Sequence, residues 1–335
     1  MESGIYQTPV NVDPRLGRAT FGDLVSIAAG VIRERIGPFL LAGLVSALPL
    51  GVLTALMQHR FLAFEEPLDL PDMILLEMIL IGLAIFAHSV LVRPVVHGVV
   101  ACGSIDQLAG SIRPLTEIAD QLVWWRIIAA DFYRALAFAA AAIGSAVALM
   151  TGIYALSFVI PPELGVSTLF RLVGMILAGM VLFPVVLVAS FYVFGRLGVA
   201  VAALVAGYGT AAGACRESWR IMRNRTGQTF WSAHWMRYSL LFLTGLGVTM
   251  VANLAILALI QPLLDAITGW VPAGVLLFLL TQLVLAPTAS LGTVIFGVIE
   301  GVYFADLAER LRPPSAPKDP EVMPFAPELP VVPMA

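Results

Sequence analysis

Long uncharged apolar runs alternate with arginine-bearing segments along this chain. A helix needs about 20 mostly apolar residues to cross the hydrocarbon core of a bilayer. Runs without Asp, Glu, Lys or Arg cover 36–59, 78–92, 135–162, 172–195, 238–264 and 266–299. Once the second run is extended by a few flanking residues, the pattern predicts six spans, at about 38–57, 73–92, 136–158, 173–194, 239–261 and 273–298.

The composition agrees with this pattern and excludes a soluble enzyme. Of the 335 residues, 59% are hydrophobic and only 12% are charged, and the mean hydropathy is +0.93. Soluble domains carry about 25% charged residues. The net charge of −3 adds little, because the placement of charges along a membrane chain matters more than their sum.

The basic residues predict which side of the membrane each loop occupies, because cytoplasmic loops accumulate Lys and Arg. Six spans place 17 of the 19 basic residues on one side and only Arg60 and Arg171 on the other. Lys318 is the single lysine, a usage typical of GC-rich bacterial genomes. We therefore expect a multi-pass protein of a bacterial inner membrane, with both termini in the cytoplasm.

An amphipathic segment precedes each of the three hairpins of spans. The segments cover 20–35, 114–129 and 211–224, and each places apolar residues at helical spacing against a polar face. In the first, Thr20 and Asp23 resemble a capping box. We expect three interfacial helices on the cytoplasmic side, so that one structural plan is used three times.

Residues 197–215 are uncharged and nearly long enough to form a seventh span. A crossing there would place the arginines of 216–237 outside the cell, against the bias of the other loops. We interpret 197–215 as the fourth span continuing into the interface. The sequence leaves open whether 197–213 lies on the bilayer or re-enters it.

The chain divides into a cytoplasmic tail at 1–19, a membrane domain at 20–312 and a second tail at 313–335. The last 24 residues hold eight prolines, mostly three apart, as on one face of a polyproline II helix. This composition indicates a disordered tail. The alternative is a docking ligand for a cytoplasmic protein partner.

The most distinctive polar segment covers 216–238. Arginines near an anionic leaflet contribute ~1 kcal/mol each, and Trp and Tyr are enriched at membrane interfaces. The segment is either a general anchor to anionic membrane lipids or a specific site for a phosphate-bearing headgroup. The candidate lipid-binding residues are Arg216, Arg220, Arg223, Arg225 and Trp219.

Three polar residues within predicted spans are further candidates. Glu77 lies one turn inside the second span and can reach the outer interface. Asn253 and Gln282 fit hydrogen bonds between helices, or contacts with a transported substrate. Glu300, at the cytoplasmic end of the sixth span, is expected to pair with arginines on that side.

No motif indicates catalysis. The two cysteines fit no zinc or redox spacing, and the four histidines form no metal-binding motif. His88 and His97 are nine residues apart and point to opposite faces of a helix. There is no phosphate-binding loop and no nucleophile elbow. We expect no enzymatic activity, no cofactor and no nucleic-acid partner.

Three stretches of this sequence resemble a known family. They are FGDLVSIAAGVIRERIGPFLLAGLVSALP, GACRESWRIMRNRTGQTF with Ser218-Trp219-Arg220, and GVYFADLAERLR with Tyr303, Asp306, Leu307 and Arg310. The chain is similar over 20–312 to the bacterial membrane-domain family named after glycerophosphodiester phosphodiesterases and to its six-span relatives. In the namesake proteins a separate soluble barrel performs hydrolysis, so the resemblance implies no phosphodiesterase activity for this chain.

Together these features predict an all-α, six-span membrane helix bundle with cytoplasmic interfacial helices. The leading hypothesis is a non-enzymatic protein whose basic cytoplasmic face binds anionic lipid headgroups or organises a protein partner. The alternative is a transporter or flippase-like carrier of a small amphiphile or lipid. The sequence leaves the oligomeric state open.

Overall fold

A computed structural model of the protein describes most of the predicted membrane domain. It describes residues 14–62, 72–159, 180, 184–207, 209–223, 233–268 and 275–311. Over these residues the protein is all-helical, which confirms the predicted fold class. The proline-rich tail and the interpretation of it as a docking ligand lie outside the described residues.

The described residues form nine helices, five long and four short. They are α1 Phe21–Leu62, α2 Asp72–Leu108, α3 Leu115–Gln121, α4 Trp124–Val159, α5 184–196, α6 Ala200–Val205, α7 Ala211–Ile221, α8 His234–Thr268 and α9 Val275–Leu311. No cis peptide bond occurs among them.

Six helical segments of the described chain are long and apolar enough to cross a membrane, as the sequence predicts. They are α1, α2, α4, the segment Pro184–Val205, α8 and α9. The fold is therefore that of a multi-pass membrane protein. The starts of α1, α4 and α8 and the ends of α2, α5 and α9 meet at one end of the bundle, which we call the arginine end.

The first amphipathic segment is the beginning of α1. Thr20 N donates to Asp23 Oδ2 at 2.8 Å and Asp23 N donates to Thr20 Oγ1 at 3.2 Å, which confirms the capping box. The helix kinks at Arg35, where φ is −123° and ψ is 24°. Leu24 and Ala28, on the predicted apolar face, are buried in the protein core. Protein therefore covers much of the face that was expected to lie on lipid.

The second amphipathic segment is two helices, so the prediction of one helix over 114–129 is wrong. α3 ends before Leu122, whose φ of −74° and ψ of 135° are extended, and α4 begins at Trp124. Arg113 ties α3 to the end of α2 by donating to both Gln121 and Asp106. α4 then runs into the bundle in a different direction from α3. The helical spacing of the apolar residues continues across this break, so the spacing alone predicts a single helix.

Protein encloses much of the segment 197–215, which the sequence predicts to continue the fourth span into the interface. The chain turns at 197–199 into α6, whose six residues are all buried between α2, α4, α7 and α9. Six residues are too few for a seventh crossing. The apolar character of this segment serves helix packing. The third amphipathic helix is confirmed as α7, whose N-cap Thr210 accepts from Gly213 N.

The buried core lies at the arginine end. Its members belong mainly to the start of α1, the second half of α2, α3, the start of α4, α6, α7, the start of α8 and the end of α9. In the other half of the bundle, leucines and methionines point outward, with Leu83 58%, Met150 63% and Leu259 79% exposed. Such faces are suited to lipid, which covers apolar surface as well as protein does.

The end of α9 fixes the beginning of the described chain. Asp306 is completely buried and accepts from Gly17 N at 2.9 Å. Arg310 donates to Asp306 Oδ2 at 2.7 Å and to the carbonyl oxygen of Ala19 at 2.8 Å. Two of the residues that carry the family resemblance thus hold the turn before α1 in place.

Candidate functional site

Two glycines in α9 bring α2 into close contact with it. A Cβ on Gly297 would lie 2.8 Å from Val100 Cγ1, and one on Gly301 would lie 2.6 Å from the carbonyl oxygen of Ala101. Glycines four residues apart allow such an approach in membrane helices. Glu300 lies between them in sequence and is carried into the interior of the bundle.

Glu300 is completely buried and its carboxylate has three donors from three other helices. His97 Nε2 lies 2.6 Å from Glu300 Oε2, and Arg134 Nη1 donates to the same oxygen at 3.0 Å. The backbone N–H of Ala202 in α6 donates to Oε1 at 2.9 Å. A buried carboxylate requires such complete pairing, because an unpaired charge in the interior is very costly. The expected pairing of Glu300 with an arginine is confirmed.

Arg134 links Glu300 to a second carboxylate. Its Nη2 donates to Oδ1 of Asp131, three residues earlier on α4. The side chains of Arg134 and Asp131 are 15% and 28% exposed. We call His97, Asp131, Arg134 and Glu300 the charged cluster. It contains two carboxylates, one guanidinium and one imidazole.

A cavity of about 380 Å³ opens beside the charged cluster, within the size range of small-molecule sites. Five helices contribute to it. Its lining residues are Ser89, Arg93, Pro94 and His97 from α2, Asp131, Arg134, Ala135 and Phe138 from α4, Phe191 and Phe194 from α5, Tyr238 and Phe242 from α8, and Phe296 from α9.

The cavity combines charged side chains with an aromatic wall. Along α4, Phe138 follows Arg134 by four residues, and along α9, Phe296 precedes Glu300 by four. Four residues are about 6 Å of helix, so an aromatic wall begins one turn deeper than the charged cluster. Phe296 stacks on Phe242 with ring centroids 4.3 Å apart.

Arg93 adds an exposed cation to this lining. None of the described residues forms an ion pair or hydrogen bond with it, and its charge acts on Asp131 only through space. It lies one turn before His97 on α2. The cavity therefore offers one available guanidinium beside a charged cluster and an aromatic wall, an arrangement complementary to an anionic amphiphile.

Three of the predicted lipid-binding arginines lie elsewhere, on α7 and just after its end. Arg216, Arg220 and Arg223 are exposed, and Arg220 forms an ion pair with Glu217 at the surface. The guanidinium of Arg196 stacks on the ring of Trp219, with Arg196 Cζ 4.6 Å from the ring centroid. Arg225 lies outside the described residues.

The polar candidates predicted within spans also lie apart from the cavity. Glu77 forms an ion pair with Arg60 at 2.7 Å, and both side chains are about two-fifths exposed. Gln282 lies against Gly51 of α1, and Asn253 is half-buried in α8. Neither amide lines the cavity.

Sequence reasoning missed Arg93, His97, Asp131 and Arg134 as members of a site. The available signals were the three-residue spacing of Asp131 and Arg134 and the glycines on either side of Glu300. No group of three or more His, Cys, Asp or Glu among the described residues is placed to hold a metal ion.

Comparison of the chain with known proteins identifies no relative. Protein-family models, curated proteins and solved structures all yield no match.

Proposed function

We propose that this protein is a non-enzymatic membrane protein that binds one anionic amphiphile, such as a lipid, in the cavity beside the charged cluster. The arginine end faces the cytoplasm of a bacterial cell, as the distribution of basic residues favours. The headgroup lies near Arg93 and the apolar part lies along the phenylalanines.

The observation that supports this proposal is that one cavity combines an exposed guanidinium with an aromatic wall. Arg93 follows directly on the second predicted span, so we expect its guanidinium near the depth of lipid headgroups. Phe138 and Phe296 lie at about the same level as Arg93 and offer an apolar surface to the acyl chain. A lipid bound there would place its anionic headgroup beside the guanidinium and its apolar part against the aromatic rings.

A carrier function is the second candidate, and the buried position of Glu300 favours it. Ionisable groups buried within membrane helices are costly and commonly mark transport pathways. A carrier would move its amphiphile between leaflets or across the membrane, whereas a binding protein would only hold it. If Asn253 and Gln282 belong to a transport path, Asn253→Leu and Gln282→Leu should abolish movement in proteoliposomes but leave binding intact.

Native mass spectrometry of protein released from nanodiscs of phosphatidylethanolamine and phosphatidylglycerol tests where the amphiphile binds. We expect one tightly retained anionic lipid on the wild type, lost in Arg93→Gln and in Ala135→Phe, which fills the cavity without altering its charge. The control is a triple variant on and just after α7, in which Arg216, Arg220 and Arg223 become Gln.

A lipid site in the cavity and a lipid site at the α7 arginines give opposite results in this experiment. If the triple variant retains the lipid while Arg93→Gln loses it, the cavity is the site. Loss in the triple variant with retention in Arg93→Gln would move the site to α7. Retention of lipid only in bulk proportions by the wild type would refute a specific site altogether.

A further inference from the structure

We infer that the cavity binds its anion together with one proton, and that the pair His97–Glu300 holds this proton. The inference rests on the proposed function and adds a second, ionic ligand to it. It also gives a reason for the charged cluster, which a simple headgroup site does not need.

The charge count of the buried cluster leads to this inference. With His97 neutral, the carboxylates of Asp131 and Glu300 outnumber the guanidinium of Arg134, and the cluster carries one net negative charge. Net charge in a low-dielectric interior is costly. A proton between His97 Nε2 and Glu300 Oε2, which are 2.6 Å apart, makes the cluster neutral.

The other groups around the pair do not titrate near neutral pH. Arg93 and Arg134 stay charged and Asp131 is paired. From α8, Tyr238 faces the cluster, and a phenol ordinarily loses its proton near pH 10. From α7, Cys215 lies within its electrostatic reach, and burial raises the pKa of this thiol. α6 contributes only a backbone N–H, and α5 presents phenylalanines. The exchangeable proton therefore belongs to His97 and Glu300.

An anion bound at Arg93 would favour the protonated form of the pair His97–Glu300. Arg93 and His97 are four residues apart on α2 and both line the cavity, so a bound anion lies about one helical turn from the imidazole. Its charge favours imidazolium over imidazole. By linkage the effect is reciprocal, and the proton favours the anion equally. If each anion takes up one proton, its affinity falls about tenfold for each unit by which the pH rises.

The test is calorimetric titration of the full chain in a non-ionic detergent with 1-decanesulfonate. This probe stays monoanionic at every pH used, so any proton taken up belongs to the protein. Titrations in buffers of different ionisation enthalpy report the number of protons bound with each anion. We expect close to one proton per probe for the wild type at the upper end of the pH range, and an affinity that weakens as the pH rises.

Two variants at His97 test the role of the proton separately from any effect on folding. Gln at this position keeps an N–H donor toward Glu300 but cannot titrate, so His97→Gln should bind the probe without proton uptake and without pH dependence. His97→Lys fixes the positive charge, and its affinity at about pH 8 should match that of the wild type at about pH 6. The control is His88→Gln, on the same helix but outside the cavity lining, which should behave as the wild type.

The outcomes separate the inference from the proposed function. Probe binding by the wild type with no proton uptake, or unchanged uptake in His97→Gln, overturns the inference and leaves the amphiphile site standing. Absence of probe binding at every pH overturns the amphiphile site and the linked proton together.

Discussion

Replacing Arg134 by Met should destabilise the protein far more than replacing Arg220 by Met. Each arginine pairs with a carboxylate three residues earlier on its helix, Arg134 with Asp131 and Arg220 with Glu217. The environments differ, because the Arg134 side chain is 15% exposed and that of Arg220 is 71% exposed. The two substitutions form a matched pair with the same chemistry and spacing.

The expected magnitudes follow from what each substitution leaves behind. Arg134→Met leaves two carboxylates without their cation, and one of them is completely buried. Removing one partner of a buried ion pair costs about 3–5 kcal/mol, which is at least a hundredfold in the unfolding equilibrium. Solvent screens the Arg220 pair, so its loss should cost about 0–1 kcal/mol.

Equilibrium unfolding in mixed micelles, followed by tryptophan fluorescence, measures both losses on one scale. A triple variant with Asp131→Leu, Arg134→Met and Glu300→Leu should recover much of the stability, because an apolar replacement removes every uncompensated charge. Equal losses for Arg134→Met and Arg220→Met would refute the assignment of the charged cluster as a buried, mutually dependent unit.

Three further predictions concern the glycine contact and the beginning of the chain. Gly301→Ala should cost about 1–3 kcal/mol in the same unfolding assay through overpacking against α2. Gly247→Ala is the control and should be neutral or stabilising, because nothing lies within 4 Å of its added Cβ. A neutral Gly301→Ala would contradict the close contact. Arg310→Met should release the turn at Ala19, seen as faster hydrogen exchange at 14–20, and unchanged protection there would argue against the anchoring role of Arg310. Thr20→Ala removes an exposed cap and should lower the free energy of unfolding by only about 0.5–2 kcal/mol. A larger loss would indicate a role beyond capping.

The sequence predicts the helices well because the bilayer imposes a strict requirement. Each span needs an uninterrupted apolar run, and such runs are visible without knowledge of tertiary contacts. The capping box at Thr20 and the start of α7 also depend only on residues within a few positions. The fold class and these local features could therefore be predicted.

The cavity could not be predicted, because it depends on contacts between distant segments. His97 and Glu300 are 203 residues apart, and they meet only because the glycines of α9 admit α2. The burial of α6 has the same origin. Apolar residues suit lipid and protein equally, so hydropathy cannot separate a segment that lies on the membrane from one enclosed by other helices.

The contact between α1 and α9 has a consequence for synthesis. These are the first and the last of the six candidate spans, and they run antiparallel, with Gly43 against Ser290 and Gly51 against Gln282. Until the ribosome has delivered α9, α1 stands in the bilayer without its main neighbour, and His97, Arg134 and Ala202 stand without the carboxylate that they contact. Assembly of the bundle is therefore a late event, and a chain truncated before α9 would leave these donors without their acceptor.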